Sequence, residues 1–196
     1  MRLATLTMAA TAMVALGTVP HAAGTASLTL TSARVSIEGT SNIHGYTASS
    51  TAVKVAAVDV DAAGEDVLGH ALEPNAVRAF EVVIPTTSLT SPKDGIDKNM
   101  HKALKAAEYP QIRFRLRGLD VAAGTATGQL TIAGIEKDVT LNVQVKRQDA
   151  ALAVTGTTTL MMTDYGVTPP KAMLGMLKTN PKVTITFELL LGPSLG

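Results

Sequence analysis

The sequence predicts an all-β domain, an antiparallel barrel of about eight strands with one short helix and a helical-turn loop before the last strand. Three observations carry this expectation. Apolar and polar residues alternate at period two through most of the chain, a helical period appears over one stretch only, and turn residues interrupt the alternation at short intervals. Closure into a barrel is favoured because it removes exposed strand edges, and about eight strands is the count at which an interior can hold one small ligand.

The chain opens differently. Met1-Arg2-Leu3 leads into LATLTMAATAMVALGTV, followed by Pro20 and the small residues Ala22, Ala23 and Gly24. One basic residue, an apolar stretch, a breaker and small residues are the layout of a secretory signal, with cleavage expected between Ala22 and Ala26. Four Thr make the stretch poorly lipophilic, and no basic stop-transfer cluster follows it, so no stable membrane anchor is expected after cleavage. Residues 1–24 are therefore expected as a cleaved signal peptide and residues 25–196 as a single domain.

The strands follow in order. Leu28 and Leu30, then Val35 and Ile37, alternate with Thr, Ser and Arg; the stretch 52–60 alternates at Val53 and Val55 and loses regularity at Ala56 and Ala57. Phe80, Val82 and Ile84 share one side of a strand over 77–85. In 111–117, Ile112, Phe114 and Leu116 oppose Arg113, Arg115 and Arg117. Strands over 125–132 and 138–146 are joined across Gly134 as a hairpin. Leu152, Val154, Leu160 and Met162 mark the next strand, and Val183, Ile185, Phe187 and Leu189 the last. Between Asp94 and Ala107 the apolar residues Ile96, Met100, Ala103, Leu104 and Ala107 recur at spacings of three and four, a helix that Tyr109-Pro110 stops. From Tyr165 to Pro181 a Pro pair introduces the cluster Ala172, Met173, Leu174, Met176 and Leu177, read as a loop with a helical turn that packs on the barrel or covers its mouth.

Composition excludes several classes of function. A formal charge of +1, from 17 basic and 16 acidic residues, falls to zero once Arg2 is removed, and three Phe with three Tyr cannot build a base-stacking surface. Nucleic acid is not an expected partner. The absence of Cys removes disulfides, thiolate metal sites and Cys nucleophiles. An exported, Cys-free chain without a glycosylation sequon reads as bacterial and periplasmic.

No catalytic signature stands out. Gly39-Thr40-Ser41-Asn42-Ile43 ends in Ile where a nucleophile elbow needs Gly, and there is no P-loop, dinucleotide fingerprint or HExxH. His44 in a Gly-rich turn and His101 on the helix could approach Asp97 as a metal or acid–base cluster, but a structural or solvated role suits each of them better. A cation loop starting at Asp97 fails because its sixth position is Lys102. The three Arg on one strand read as a solvated face rather than an anion clamp. No catalytic residue, metal or cofactor is expected.

The methionines are more informative. Met100, Met161, Met162, Met173 and Met176 fall in the helix, the late strand and the following loop, where flexible thioethers suit an adaptable apolar surface. Burying about ten methylenes at about 0.8 kcal/mol each gives about 8 kcal/mol, enough for micromolar binding before ordering costs.

The segments GTSNIHGY (39–46), EVVIPTTSLTS (81–91), DKNMHKALKAAEYPQIRF (97–114), GQLTIAGIEKDVTL (128–141) and TDYG (163–166) together resemble the YceI-like family over nearly all of the mature chain. The resemblance implies a lipocalin-like eight-stranded barrel, exported to the periplasm in many members, with an elongated apolar cavity for polyisoprenoid chains and no shared catalytic set. Carried over by position, Met100, Leu104, Ile112, Phe114, Leu130 and Ile132 would face the interior or the helix covering it. With Met162, Met173 and Met176 they form the expected ligand-binding set. The scarcity of aromatics and the PPKAMLGMLKTNP segment set this chain apart from the lipid-binding type. The expected function is a periplasmic binding or carrier protein for an apolar, isoprenoid or lipid-like ligand; the alternative is a non-catalytic interaction or stress-protection module with a packed barrel.

Overall fold

The computed structural model describes residues 24–62, 66–92, 94–172 and 176–194. The expected signal peptide lies outside the described residues except for Gly24, and so do Met173 and Leu174 of the predicted loop. The strands are β1 (Gly24–Ser41), β2 (Gly45–Ser50), β3 (Lys54–Ala62), β4 (Val77–Pro85), β5 (Gln111–Asp120), β6 (Thr125–Ile132), β7 (Ile135–Gln148), β8 (Ala151–Met161), β9 (Lys171–Ala172) and β10 (Leu177–Pro193). Two helices interrupt them, α1 (Val67–His70) and α2 (Asp94–Ala103). Strands β1, β3, β4, β5, β6, β7, β8 and β10 pair antiparallel in chain order, and β10 returns to β1 to close an eight-stranded barrel. The side strand β2 lies on β1, and the two-residue β9 on β10.

Adjacent strands alternate in direction, so the barrel has two distinct ends. The β1–β2 and β6–β7 turns, the end of β8, the start of β10 and α2 share one end; α1 and the β5–β6 and β7–β8 turns share the other.

Three bulges explain where strict alternation misleads. In β1 the inward apolar set changes phase from Leu28 and Leu30 to Val35 and Ile37, and the pairing with β10 shifts register between Leu30 and Ser32. One long strand therefore reads in sequence as two pieces. In β3 the shift between Val55 and Ala57 moves the buried set to Val58 and Val60, which is the irregularity seen at Ala56-Ala57. In β5 the shift between Leu116 and Gly118 turns Leu119 back toward the interior.

The helical elements differ from expectation. α2 stops at Ala103, before the predicted Ala107, because Lys105 takes a left-handed conformation (φ 51°). The Ala106 N–H then donates to His101 O and the Lys105 N–H to Lys102 O, the paired bonds of a Schellman turn. Tyr109-Pro110 is not the stop. A second helix, the single turn α1, was not expected; its signal is Asp66, whose carboxylate accepts from the Gly69 N–H and caps it, with Leu68 and Ala71 buried beneath. The predicted helical turn of the late loop falls on 172–177, of which 173–175 lie outside the described residues; Lys171–Ala172 form β9 and residues from Leu177 onward belong to β10, while a separate 3-10 turn over Met162–Tyr165 comes before the Pro pair. Strand β2 was also missed, because its inward positions are Tyr46, Ala48 and Ser50, too polar for a core face. Ser50 is satisfied by the Ser88 hydroxyl at 2.7 Å, which donates in turn to Pro85 O at 2.6 Å.

Glycines on the inner wall seat the aromatic rings. Gly156 pairs with Phe187, whose ring lies across it, and Gly128 sits under Phe114. A Cβ at Gly156 would fall 2.3 Å from Phe187 Cζ and 2.6 Å from the Asn142 carbonyl oxygen. Gly156→Ala is therefore expected to lower stability by about 1–3 kcal/mol through overpacking. Denaturant unfolding at unchanged m-value checks this, and wild-type stability in G156A would show that the wall yields there.

Candidate functional site

The barrel encloses a cavity of about 440 Å³. Its wall is what the inward-facing halves of the strands supply: Val82 and Ile84 from β4, Ile112 and Phe114 from β5, Leu130 and Ile132 from β6, Leu189 and Leu191 from β10. The inner face of α2 completes it with Ile96, Met100, Ala103 and Leu104, the residues whose spacing marks the helix in sequence. No Asp, Glu, Lys or Arg lines it among the described residues. A space of this size and lining suits a flexible apolar chain and offers no partner to a buried charge.

One end is closed and the other open. At the closed end α1 inserts Leu68 and Ala71 among Leu28, Val58, Val60, Leu152 and Leu191. At the open end the lining residues exposed to solvent are His44, Gly95 and Asn99, which place the mouth between the β1–β2 turn and the first turns of α2. Polar lining gathers there, with Ser41, Tyr46 and Thr179 beside His44 and Asn99. The Nδ1 of His44 lies 3.0 Å from its neighbour's carbonyl, Gly45 O. A neutral imidazole donating there leaves Nε2 as an acceptor at the mouth.

Of the expected ligand-binding residues, Met100, Leu104, Ile112, Phe114, Leu130, Ile132 and Met162 all line the cavity. Met173 lies outside the described residues, and Met176 is not in the wall: it is 70% exposed, on the rim outside the mouth. Its backbone carbonyl is held by Asn42, so the turn faces the side chain away from the interior. Sequence reasoning passed over Phe80 and Phe187, Tyr165 and the polar mouth residues as ligand-facing groups. Their signal was present, since the Phe lie in phase with the inward residues of β4 and β10, and Ser41, His44 and Tyr46 fall within GTSNIHGY.

The other groups singled out in sequence have structural partners. The Nε2 of His101 meets Leu89 O at 2.8 Å, and the Asp97 carboxylate accepts the Ser91 N–H at 2.7 Å, so both pin the β4–α2 connection to the helix. No three His, Asp or Glu gather as a metal site among the described residues. The Arg strand faces solvent: Arg113 and Arg115 approach Glu81 at 3.7 and 3.5 Å, and Arg117 approaches Asp138 at 3.4 Å. Exposed pairs of this kind are worth at most about 1 kcal/mol each.

A family model described as YceI-like domain matches residues 18–191. Solved structures share the fold at low identity. A Burkholderia cenocepacia protein, BcnA, is 18% identical with a TM-score of 0.64, covering 81% of this chain and 95% of its own. A polyisoprenoid binding domain from Saccharophagus degradans, implicated in plant cell wall breakdown, is 16% identical with a TM-score of 0.60, covering 86% and 99%. A Campylobacter jejuni YceI protein is 16% identical with a TM-score of 0.55, covering 74% and 82%. No curated protein matches the chain in sequence.

All three tyrosines resist ionisation. Burial, helped by the Asp164 charge, pushes the Tyr165 hydroxyl up to about 12; burial alone raises Tyr46; Glu108 raises Tyr109 by accepting a hydrogen bond from its hydroxyl and by its charge. An unfolded tyrosine ionises near pH 10. The contribution of Tyr165 to stability is therefore intact below about pH 10 and is lost as pH rises through about 12. Tyrosinate absorbance should show no native group titrating below the ordinary value, with one last near 12; a Tyr165→Phe variant should lose that last step.

Proposed function

This chain belongs to the YceI-like family, and from that premise we propose that it binds a lipid-like, isoprenoid ligand inside its barrel, tail inward, as a binding or carrier protein without catalytic activity. The charge-free cavity of about 440 Å³ carries this reading, since an apolar chain is the occupant that leaves no buried group unsatisfied. The similar Saccharophagus degradans domain, described as polyisoprenoid binding, supports the ligand class. The orientation follows from the wall. The polar atoms of Ser41, His44, Tyr46, Asn99 and Thr179 stand at the mouth, while the far end is stopped by Leu68 and Ala71. A hydroxyl or carbonyl head group finds donors and acceptors at the mouth and, just below it, at Thr158 and Tyr165, whereas the half of the wall toward Leu68 and Ala71 is apolar; a phosphate dianion would find no Lys or Arg in the lining.

The alternative of a packed interaction module requires an interior without a continuous void, and the cavity speaks against it. Export to a bacterial periplasm with removal of the leader remains the reading that the first two dozen residues support. Cell fractionation with intact-mass measurement checks it, the expected N-terminus lying between Ala23 and Ala26.

The binding reading predicts that protein purified without detergent yields about one apolar molecule per chain on solvent extraction. Leu130→Trp, which puts an indole into the space, should reduce that yield at least about tenfold while still melting cooperatively. A solvent extract free of lipid, together with no thermal shift on adding isoprenoid alcohols or quinones, overturns the reading.

A further inference from the structure

The large apolar side chains that remain exposed among the described residues are Ile43 (59%), Met176 (70%), Met161 (38%) and Ile135 (37%). Scattered singly they would need no explanation. They are not scattered. Ile43 is in the β1–β2 turn, Ile135 opens β7, Met161 ends β8 and Met176 precedes β10, so every one stands at the end of the barrel that holds the mouth.

The two most exposed are held out by an ordered scaffold. The Ser41 hydroxyl accepts the Ile43 and His44 N–H groups at 3.2 and 3.1 Å and donates to His44 O at 2.8 Å, which locks the turn that carries Ile43. Asn42 ties this turn to the neighbouring segment: its Nδ2 donates to Met176 O at 2.9 Å, its Oδ1 accepts the Lys178 N–H at 2.7 Å, and its own N–H donates to Lys178 O at 3.1 Å. Ile43 and Met176 thus form one firm apolar tip beside His44 at the cavity mouth.

Charge distinguishes the ends in the same sense. Exposed Lys98 and Lys102 on the outer face of α2, and Lys178 beside the tip, flank the mouth; Glu38, Glu108, Glu136 and Asp164 are also at this end. The opposite end collects Asp59, Asp61, Asp66, Asp120 and Asp149, of which Asp61 is paired with Arg78 and Asp66 with Arg147, has Lys146 near the end of β7, and carries no exposed large apolar residue among the described ones. No helix in the described residues is long and apolar enough to cross a membrane. A surface with apolar tips among lysines, continuous with an apolar tunnel, fits the interface of a bilayer containing anionic lipid.

We propose that the Ile43–Met176 tip docks the mouth of the barrel onto an anionic lipid surface, so that an apolar tail passes between bilayer and cavity without crossing water. This rests on the proposed binding function for its purpose, but it is tested without it. Wild type and Ile43→Glu/Met176→Glu, shown by mass to share one N-terminus, are sedimented with vesicles of phosphatidylglycerol and phosphatidylethanolamine or of phosphatidylcholine alone. Neither residue lines the cavity, so melting temperature and extractable ligand should match in the two proteins. The expected result is sedimentation of wild type with the anionic vesicles, weaker with phosphatidylcholine, and a loss of at least about tenfold in the double variant. Wild type that stays in solution with both vesicles overturns the proposal, and so does a double variant that sediments as well as wild type. Light scattering showing a dimer that the double variant dissolves, with no vesicle binding by wild type, also overturns it and assigns the tip to self-association. Vesicle binding by a protein whose extract contains no ligand leaves the docking surface standing and removes the cargo reading alone.

Discussion

The structure depends on the antiparallel pairing of β1 with β10. These are the longest strands, 18 and 17 residues, and their register runs from Leu28↔Pro193 to Ser41↔Thr179. Every other barrel pairing joins strands nearer in sequence; this one joins the two ends of the domain and turns an open sheet into a closed wall. Its partners are far apart in the chain, so the entropy of closing that loop must be offset by many ladder bonds and side-chain pairs formed together. The same pairing delivers Asn42 to Met176 and Lys178, so the shape of the mouth is a consequence of closure.

Why the interior stays hollow is a question of side-chain size. The wall is built mostly from Val, Leu and Ile, and three of the five rings that line it are seated against glycines. Phe114 lies over Gly128, Phe187 over Gly156 and Tyr46 over Gly39. Each glycine removes one Cβ from the wall and gives that volume to a ring from the adjacent strand, so the ring adds contact area without filling the centre.

Much of this was readable from the sequence. Period-two alternation located the eight barrel strands, and the three-and-four spacing of Ile96, Met100, Ala103 and Leu104 located the helical wall of the cavity. What escaped was of two kinds. Bulges change the phase of alternation, so β1 divided in two and β3 lost its pattern at Ala56-Ala57, although that break was itself the bulge's signature. The second kind depends on tertiary satisfaction. Ser50 belongs on an inner face only because Ser88 reaches it, α1 exists as a single turn because Asp66 caps it and the barrel end receives Leu68, and α2 ends early because Lys105 turns left-handed. Met176 illustrates the same limit for the site. Its place in an apolar run of sequence made it an expected cavity residue, but Asn42 fixes its backbone, and the side chain stands on the rim.

The cavity's lining also constrains how anything enters it. A barrel with polar groups at both ends would permit a ligand in either direction, and one with a charge in its wall would demand a counter-charge inside. Neither applies here, because hydrogen-bonding groups gather at the open end, the closed end is stopped by Leu68 and Ala71, and the wall between is uncharged among the described residues. An amphiphile entering head first would leave its polar atoms unpaired once past Thr158 and Tyr165, in the apolar half of the wall, at a cost of several kcal/mol, whereas tail-first movement keeps them near Ser41, His44, Tyr46, Asn99 and Thr179 throughout. Tail-first movement has its own difficulty, since a tail leaving a bilayer exposes each methylene to water at about 0.8 kcal/mol. The proposed contact between the apolar rim and the bilayer would remove that exposure, and the orientation of the ligand and the position of the rim are then two consequences of one asymmetry between the ends of the barrel.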